Sequence, residues 1–261
     1  MKNGYLGVYD SGVGGLTVVK AIQEALPNEN IVFLADSKNM PYGSKSKEEI
    51  ISYSFNNVEI LSKYGLKAIV IACNTSDSIA KNELKKKYTL PIIGVIDSAI
   101  RQALIHCKNH RIAVLATEAT IASKAYVNRI NAYDEETEVY SVACPDLVPL
   151  IEKGYFKKDD GSLEKALRKY LEDAIDNKVD TVILGCTHYD VLIDMVKRIM
   201  PDVNVISSSR CVVEELKNVL GDVELLSENS TPKTIYLASS DSKTFRTVAA
   251  EIIPNIEIEI V

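Results

Sequence analysis

From one end of this chain to the other, short β-branched runs alternate with longer stretches of helical apolar spacing, and no other feature restricts its fold as tightly. The runs "LGVYD" (6–10), "IVFLAD" (31–36), "AIVIAC" (68–73) and "PIIGVID" (91–97) read as strands. Between them, Thr17–Leu26 and Lys47–Tyr64 place apolar residues at the spacing of helices that bury one face. The same rhythm returns as "IAVLAT" (112–117), "EVYSVAC" (138–144), "TVILGC" (181–186) and "NVISSS" (204–209). Nearly continuous apolar strands are buried on both faces, and helical crossovers between them require parallel pairing, so the expected class is α/β.

The two halves also resemble each other. "AIVIACNT" and "TVILGCTH" each run apolar residues into a cysteine followed by two polar residues, and Asp10 and Thr117 end corresponding first strands. This predicts a duplicated α/β unit, two similar parallel-sheet domains related by a pseudo-twofold. Open parallel sheets bind ligands beyond the carboxyl ends of their strands. Asp10, Ser11, Asp36, Cys73, Asn74, Thr75, Thr117, Cys186, Thr187 and His188 all fall at such ends. If the halves face each other, Cys73 and Cys186 reach one interdomain cleft from opposite sides.

Two opposed thiols suit the inversion of a stereocentre that carries a hydrogen, where a base removes the proton from one face and an acid supplies one to the other. A free thiol titrates at about 8.5 and responds to neighbouring charge, so thiolate and thiol can coexist near neutral pH. The developing carbanion needs stabilisation, and Asn74, Thr75 and Thr187 offer donors for a carboxylate or its enolate-like form.

Composition removes several other classes. The net charge of −6 and a pI near 5.3 give no footprint for nucleic acid. Lys85–Lys87 beside Glu83 reads as a solvated helix face, so the expected partner is a small molecule. The opening residues lead to the expectation of no signal peptide, and nothing approaches the run of about 18 apolar residues that spans a bilayer. Five cysteines in 261 residues do not make a disulfide framework, which leads to the expectation of reduced thiols and a cytoplasmic protein. Cys107, Cys144 and Cys211 lack the polar company of the other two and read as structural. No C-x-x-C or H-x-x-x-H pattern accompanies Cys186 and His188, and His106 and His110 read as a solvated helix end, so no metal is expected. Gly12-Val13-Gly14 would need a glycine at Thr17 to complete a dinucleotide fingerprint. The loop instead suits a substrate carboxylate or ammonium, held by Asp10, Ser11 and N–H groups at a helix start.

The stretches "DSGVGGL" (10–16), "PYG" (41–43), "ACNT" (72–75), "VLATEATIASKAY" (114–126), "VPLIEKG" (148–154) and "GCTHY" (185–189) run in order through nearly the whole chain. Through them the sequence resembles the cofactor-independent glutamate racemases, within the wider aspartate/glutamate racemase superfamily. The closing "IYLASSDSKTF" resembles that family's last strand and helix. The resemblance implies interconversion of L- and D-glutamate without pyridoxal phosphate, metal or other cofactor, supplying D-glutamate for peptidoglycan, by a homodimer. It implies one domain from residues 1–97 with 209–261 and another from 98–208. Cys73 and Cys186 would be the acid/base pair, the first acting on D-glutamate and the second on L-glutamate. Asp10 would assist Cys73, and Glu152 and His188 would assist Cys186. Asp10, Ser11, Tyr42, Gly43, Asn74, Thr75, Thr187 and His188 match the family's substrate contacts, with Thr117 and Thr120 as further ones.

Other readings stand beside these. Pro41, Tyr42 and Gly43 also read as an ordinary turn, and Glu152 as an exposed helix residue. Asp190 stands where the family usually has Pro, Asp97-Ser98 where it has Glu-Pro, and an acid common near Ser207 is missing. Asp190 would either add negative potential beside Cys186 or point to solvent. A racemase of aspartate or another amino acid, a dinucleotide-binding oxidoreductase and a non-catalytic amino-acid-binding relative are the alternatives. The short stretch before Asp10 leads to the expectation that the chain lacks the segment by which some relatives respond to a cell-wall precursor.

Overall fold

The structure is a computed structural model that describes residues 2–153 and 161–261. Gly154, the last residue of "VPLIEKG", lies outside the described residues. The chain opens with β1 (Tyr5–Asp10), α1 (Gly15–Ala25), β2 (Asn30–Ala35), a 3₁₀ turn (Tyr42–Ser44), α2 (Lys47–Ser62), β3 (Leu66–Ile71), α3 (Asn74–Lys87) and β4 (Ile92–Gly94). It continues through α4 (Val95–His106), β5 (Arg111–Ala116), α5 (Glu118–Ala122), α6 (Ala125–Tyr133), β6 (Glu138–Ala143), α7 (Leu147–Glu152) and α8 (Ser162–Asp176). Then come β7 (Thr181–Gly185), a second 3₁₀ segment (Thr187–Leu192), α9 (Ile193–Ile199) and β8 (Asn204–Ser207). The last elements are α10 (Ser208–Asp222), β9 (Thr234–Ala238), α11 (Lys243–Ile252) and β10 (Glu259–Ile260).

The strands form two sheets, ordered β10-β9-β2-β1-β3-β4 and β6-β5-β7-β8, with every pairing parallel. Within each, the opening strand is internal, its successor lies on one side, the third strand on the other, and the fourth beyond that. The expected duplication is thus visible in strand order. Register does the rest: Tyr9 pairs with Ile71, and Ala116 with Gly185. Asp10 and Cys73 therefore leave one sheet at neighbouring strand ends, and Thr117 and Cys186 leave the other in the same way.

The period-2 alternation of the strands decides what each face packs against. Ala68 and Val70 of β3 join a core that also contains Ile112 and Val114 of β5, Ile183 of β7, Ile96 and Ile100 of α4, and Val212 and Leu216 of α10. One apolar core therefore runs through both sheets, with α4 packed along α10. Ile69 and Ile71, on the opposite face, pack under α2 and α3 with Val58, Leu61 and Leu84. Leu115 and Leu184 do the same beneath α8 and α9 with Leu167, Leu171 and Val196. Each such fully buried aliphatic side chain contributes about 1.5–3 kcal/mol relative to exposure.

Two local expectations shift. The strand read over 91–97 keeps only Ile92–Gly94, and the helix starts at Val95. The reason is tertiary: the buried Asp77 carboxylate accepts from the Ile96 N–H at 2.7 Å, capping the open helix start, and occupies the space a Cβ on Gly94 would need. β-Branched Val95 and Ile96 read as strand locally, but the cap wins. His106 ends α4, whereas His110 sits beyond it with φ 57° and its Nδ1 3.0 Å from Asp134 Oδ2, so both are exposed but only His106 belongs to the helix end read for the pair. No helix among the described residues is long and apolar enough to cross a membrane.

Candidate active site

Where the strand ends of the two sheets meet they enclose a cavity of about 20 Å³. Asp10, Ser11, Met40, Pro41, Tyr42, Gly43, Cys73, Asn74 and Thr75 line it from one side, and Thr117, Val148, Cys186, Thr187 and His188 from the other. That volume has room for about one water, so the cleft is closed. The walls at Met40 and Val148 escaped the sequence reading, because an apolar residue in a loop or on a short helix carries no distinguishing signal.

Cys73 leaves β3 as the N-cap of α3, with its Sγ 3.6 Å from Ser11 Oγ. Asp10 beside it is fully buried; Oδ1 accepts from the Ser11 N–H at 2.8 Å, and Oδ2 from Thr187 Oγ1 at 2.9 Å. Burial, reinforced by the Asp10 charge, pushes the Cys73 thiol up to about 12, while the Ser76 N–H at the helix start and the Ser11 hydroxyl oppose it. Burial likewise raises Asp10, against the pull of His188, Thr187 and Ser11.

Cys186 has a different neighbourhood. Its Sγ lies 3.7 Å from His188 Nδ1, and His188 Nε2 lies 3.0 Å from Glu152 Oε1 at the end of α7. Burial works against a charged imidazole, yet the contacts with Cys186 and Glu152 hold His188 well above its usual value. The result is a row of sulfur, imidazole and carboxylate. This row packs directly on the glycine loop of the first sheet: a Cβ at Gly14 would overlap Thr187 Oγ1 and come within 3.0 Å of His188 Nδ1. Gly14 of "DSGVGGL" thus lets the Cys186 motif approach the loop after β1.

Three hydroxyls form a second polar group, with Thr75 Oγ1 3.0 Å from Thr117 Oγ1 and 3.3 Å from Thr120 Oγ1, and those two 2.9 Å apart. Thr120 stands just behind the lining. Gly43 presses against this group, since a Cβ there would lie 2.7 Å from Thr117 Cβ. Two expected contact residues have their side chains engaged elsewhere. The Tyr42 hydroxyl donates to Asp36 Oδ2 at 2.5 Å and accepts from Asn57 Nδ2 at 3.0 Å. The Asn74 carboxamide accepts from the Tyr126 hydroxyl at 2.7 Å and donates to Ser208 Oγ at 2.9 Å. Asp36, just past the end of β2, anchors Tyr42. It also accepts from Asn39 and from Ser239 Oγ.

Comparison with known proteins bears on what such a site belongs to. Residues 13–216 match the Asp/Glu/Hydantoin racemase family. The chain belongs to that family. The racemase is 37% identical over 255 residues to the glutamate racemase of Sulfurihydrogenibium sp. (strain YO3AOP1), covering 97% of this chain and 95% of the relative. Among solved structures it superposes on glutamate racemase isoform RacE1 from Bacillus anthracis with a TM-score of 0.96 at 34% identity, covering 100% of this chain and 98% of the other. The glutamate racemase of Francisella tularensis in complex with D-glutamate gives a TM-score of 0.92 at 33% identity, with the same coverage. The chain is therefore an amino-acid racemase, an isomerase, of the glutamate racemase type.

The departures from the family pattern now have places in the racemase. Asp190 is half-buried and turns to Ser207 rather than Cys186: its Oδ1 accepts from Ser207 Oγ at 2.6 Å, and Ser207 caps α10 by accepting from the Arg210 N–H. Asp190 thus brings a carboxylate to the spot near Ser207 where an acid was missing. Asp97 meets Lys81 Nζ at 2.7 Å and Arg129 at 2.9 Å. Cys107, Cys144 and Cys211 are free thiols that do not line the cavity, although Cys107 does have polar neighbours, with its Sγ 3.7 Å from Arg111 O.

Proposed function

We propose that the chain interconverts L- and D-glutamate by passing the α-hydrogen through two thiols, and thereby supplies D-glutamate for peptidoglycan synthesis. The observation that carries this reading is that Cys73 and Cys186 line one cavity from equivalent strand ends of two like-ordered sheets. The D-glutamate held by the Francisella relative supports the choice of substrate.

Starting from L-glutamate, the Cys186 thiolate takes the α-proton, and the electron pair left on the α-carbon spreads into the adjoining carboxylate. The Cys73 thiol then delivers its proton to the opposite face, its S–H bond breaking as the new C–H bond forms. D-glutamate leaves a Cys73 thiolate and a Cys186 thiol behind, and the reverse reaction uses the same atoms. His188, held well above its usual value, sets a cation against the Cys186 sulfur. Cys73, held protonated by burial and Asp10, suits the complementary part of an acid.

Among the described residues the cavity lining offers the substrate carboxylates the hydroxyls of Ser11, Thr75, Thr117 and Thr187 and the N–H groups at the start of α3. Because so small a cavity excludes an amino acid, the two units part to load it. We take those units as residues 1–97 with 209–261 and residues 98–208, a division supported by the return of β9 and β10 to the first sheet. A homodimer in the cytoplasm completes the reading, on family resemblance alone.

The test is NMR of L-glutamate in deuterated water with wild type, Cys73→Ala and Cys186→Ala. Wild type is expected to incorporate α-deuterium and racemise, and both variants to lose racemisation. Undiminished turnover by either variant excludes the two-thiol mechanism.

A further inference from the structure

The stretch "VLATEATIASKAY" ends on Tyr126, which does not line the cavity and has no part in the reaction as written above. Its buried hydroxyl donates to Asn74 Oδ1 at 2.7 Å. From the other end of the same carboxamide, Asn74 Nδ2 donates to Ser208 Oγ at 2.9 Å, and the Ser208 hydroxyl donates to Leu184 O at 3.0 Å. Asn74 directly follows Cys73, and Leu184 stands on β7 two residues ahead of Cys186. A continuous hydrogen-bonded path therefore joins the two cysteine-bearing strand ends. One turn further along both helices, Arg129 of α6 lies 3.6 Å from Asp77 of α3, so α6 grips the Cys73-capped helix at successive turns.

We infer that Tyr126 and Ser208 are positioning residues that hold Cys73 at working distance from Cys186 by clamping the Asn74 carboxamide. The inference rests on the two-thiol reading and adds to it. Inversion succeeds only if the second sulfur reprotonates the carbanion before the first returns its proton. A displacement of about 1 Å can cost roughly a hundredfold in rate. Asn74 is buried, so an oxygen deprived of the Tyr126 hydroxyl finds no water in its place, and the strain falls on the helix start that carries Cys73. A displaced Cys73 still permits proton removal by Cys186 but hampers delivery to the far face. Proton exchange with retention should then gain on inversion.

The experiment follows L-glutamate in deuterated water with wild type, Tyr126→Phe, Ser208→Ala and the double variant, measuring deuterium in recovered L-glutamate and in D-glutamate formed. Wild type is expected to label chiefly the D-product at early times. In each single variant kcat for inversion should fall about tenfold to a hundredfold with KM little changed. Label in recovered L-glutamate should rise severalfold relative to D-glutamate formed. The double variant should lose less than the product of the single losses, because both side chains hold one group. The ratio does not depend on how much enzyme is folded, and Ser208→Ala keeps the Tyr126 contact if Tyr126→Phe folds poorly. An unmoved ratio in both variants, or exchange and inversion falling in equal proportion, overturns the inference alone when wild type inverts normally. Undiminished inversion by Cys73→Ala or Cys186→Ala removes it together with the two-thiol reading.

Discussion

Thr187 Oγ1 donates to Asp10 Oδ2 across 2.9 Å, so a hydroxyl from one cysteine motif is the partner of the carboxylate that stands beside the other cysteine. Asp10 is fully buried and its charge depends on the few donors around it. Thr187→Val keeps the shape and removes the donor. A hydrogen bond to a charged group contributes about 1.5–3 kcal/mol, so kcat/KM should fall roughly tenfold to a hundredfold, while Thr187→Ser retains most activity. Enantiomers have equal free energies, so the loss must be equal from L- and from D-glutamate. Initial rates in both directions check it, and a Val variant as active as wild type would show that Asp10 draws its support elsewhere.

The raised Cys73 thiol has a chemical signature. With the thiol near 12, its thiolate fraction grows about tenfold for each pH unit between pH 7 and 9 without a plateau. Iodoacetamide labelling of Cys73, followed by peptide mass spectrometry, should rise with that slope and be suppressed by D-glutamate. Asp10→Asn removes the second-largest cause of the shift, lowering the thiol toward its ordinary value, so labelling at a fixed pH should increase although catalysis declines. Slower labelling in that variant would contradict the electrostatic role given to Asp10.

The strands, their parallel pairing and the pairing of Cys73 with Cys186 were legible because each is written in local pattern: β-branched runs, a cysteine at the end, two polar residues after it. The return of the final segment to the first sheet was not, since nothing in "TIYLA" says which edge it joins; that depends on β2 leaving an edge free. Tyr42 and Asn74 were read as substrate contacts. Only the folded chain brings Asp36 and Asn57 to the first and Tyr126 and Ser208 to the second, across as many as 134 positions of sequence. Asp190 and Ser207 each looked like a loss when taken alone, and their hydrogen bond makes sense of both.

Glu152 acts on the pH profile through His188. The carboxylate helps to raise the imidazole, so Glu152→Gln lowers it and the imidazolium is lost at a lower pH than in wild type. The basic limb of kcat should therefore move to lower pH, with the acidic limb less affected. The sign is the same for stability. A raised histidine contributes in full below its unfolded value of about 6.5, and that contribution disappears as pH climbs through the folded value. In the variant it should disappear earlier. Profiles of kcat and of the urea midpoint against pH test both, and a basic limb that stays in place would detach Glu152 from the site.

Asp77, Lys81, Asp97 and Arg129 join α3, α4 and α6 behind the cavity, and their unequal burial predicts unequal costs. The Asp77 side chain is wholly inaccessible and faces both Lys81 and Arg129, whereas a quarter of the Asp97 side chain remains exposed. Asp77→Asn preserves an acceptor for the Ile96 N–H but leaves two cations against a single carboxylate, at a cost of about 3–5 kcal/mol. Asp97→Asn breaks shorter contacts, yet solvent reaches the site, and the loss should be smaller, about 1–2 kcal/mol. Added salt should narrow the Asp97 effect and leave that of Asp77 largely intact. Because one apolar core runs through both sheets, unfolding in urea is expected as a single transition whose midpoint moves without a change of slope. A separate early transition in the Asp77 variant would mean that these charges hold the two sheets together more than the shared core does.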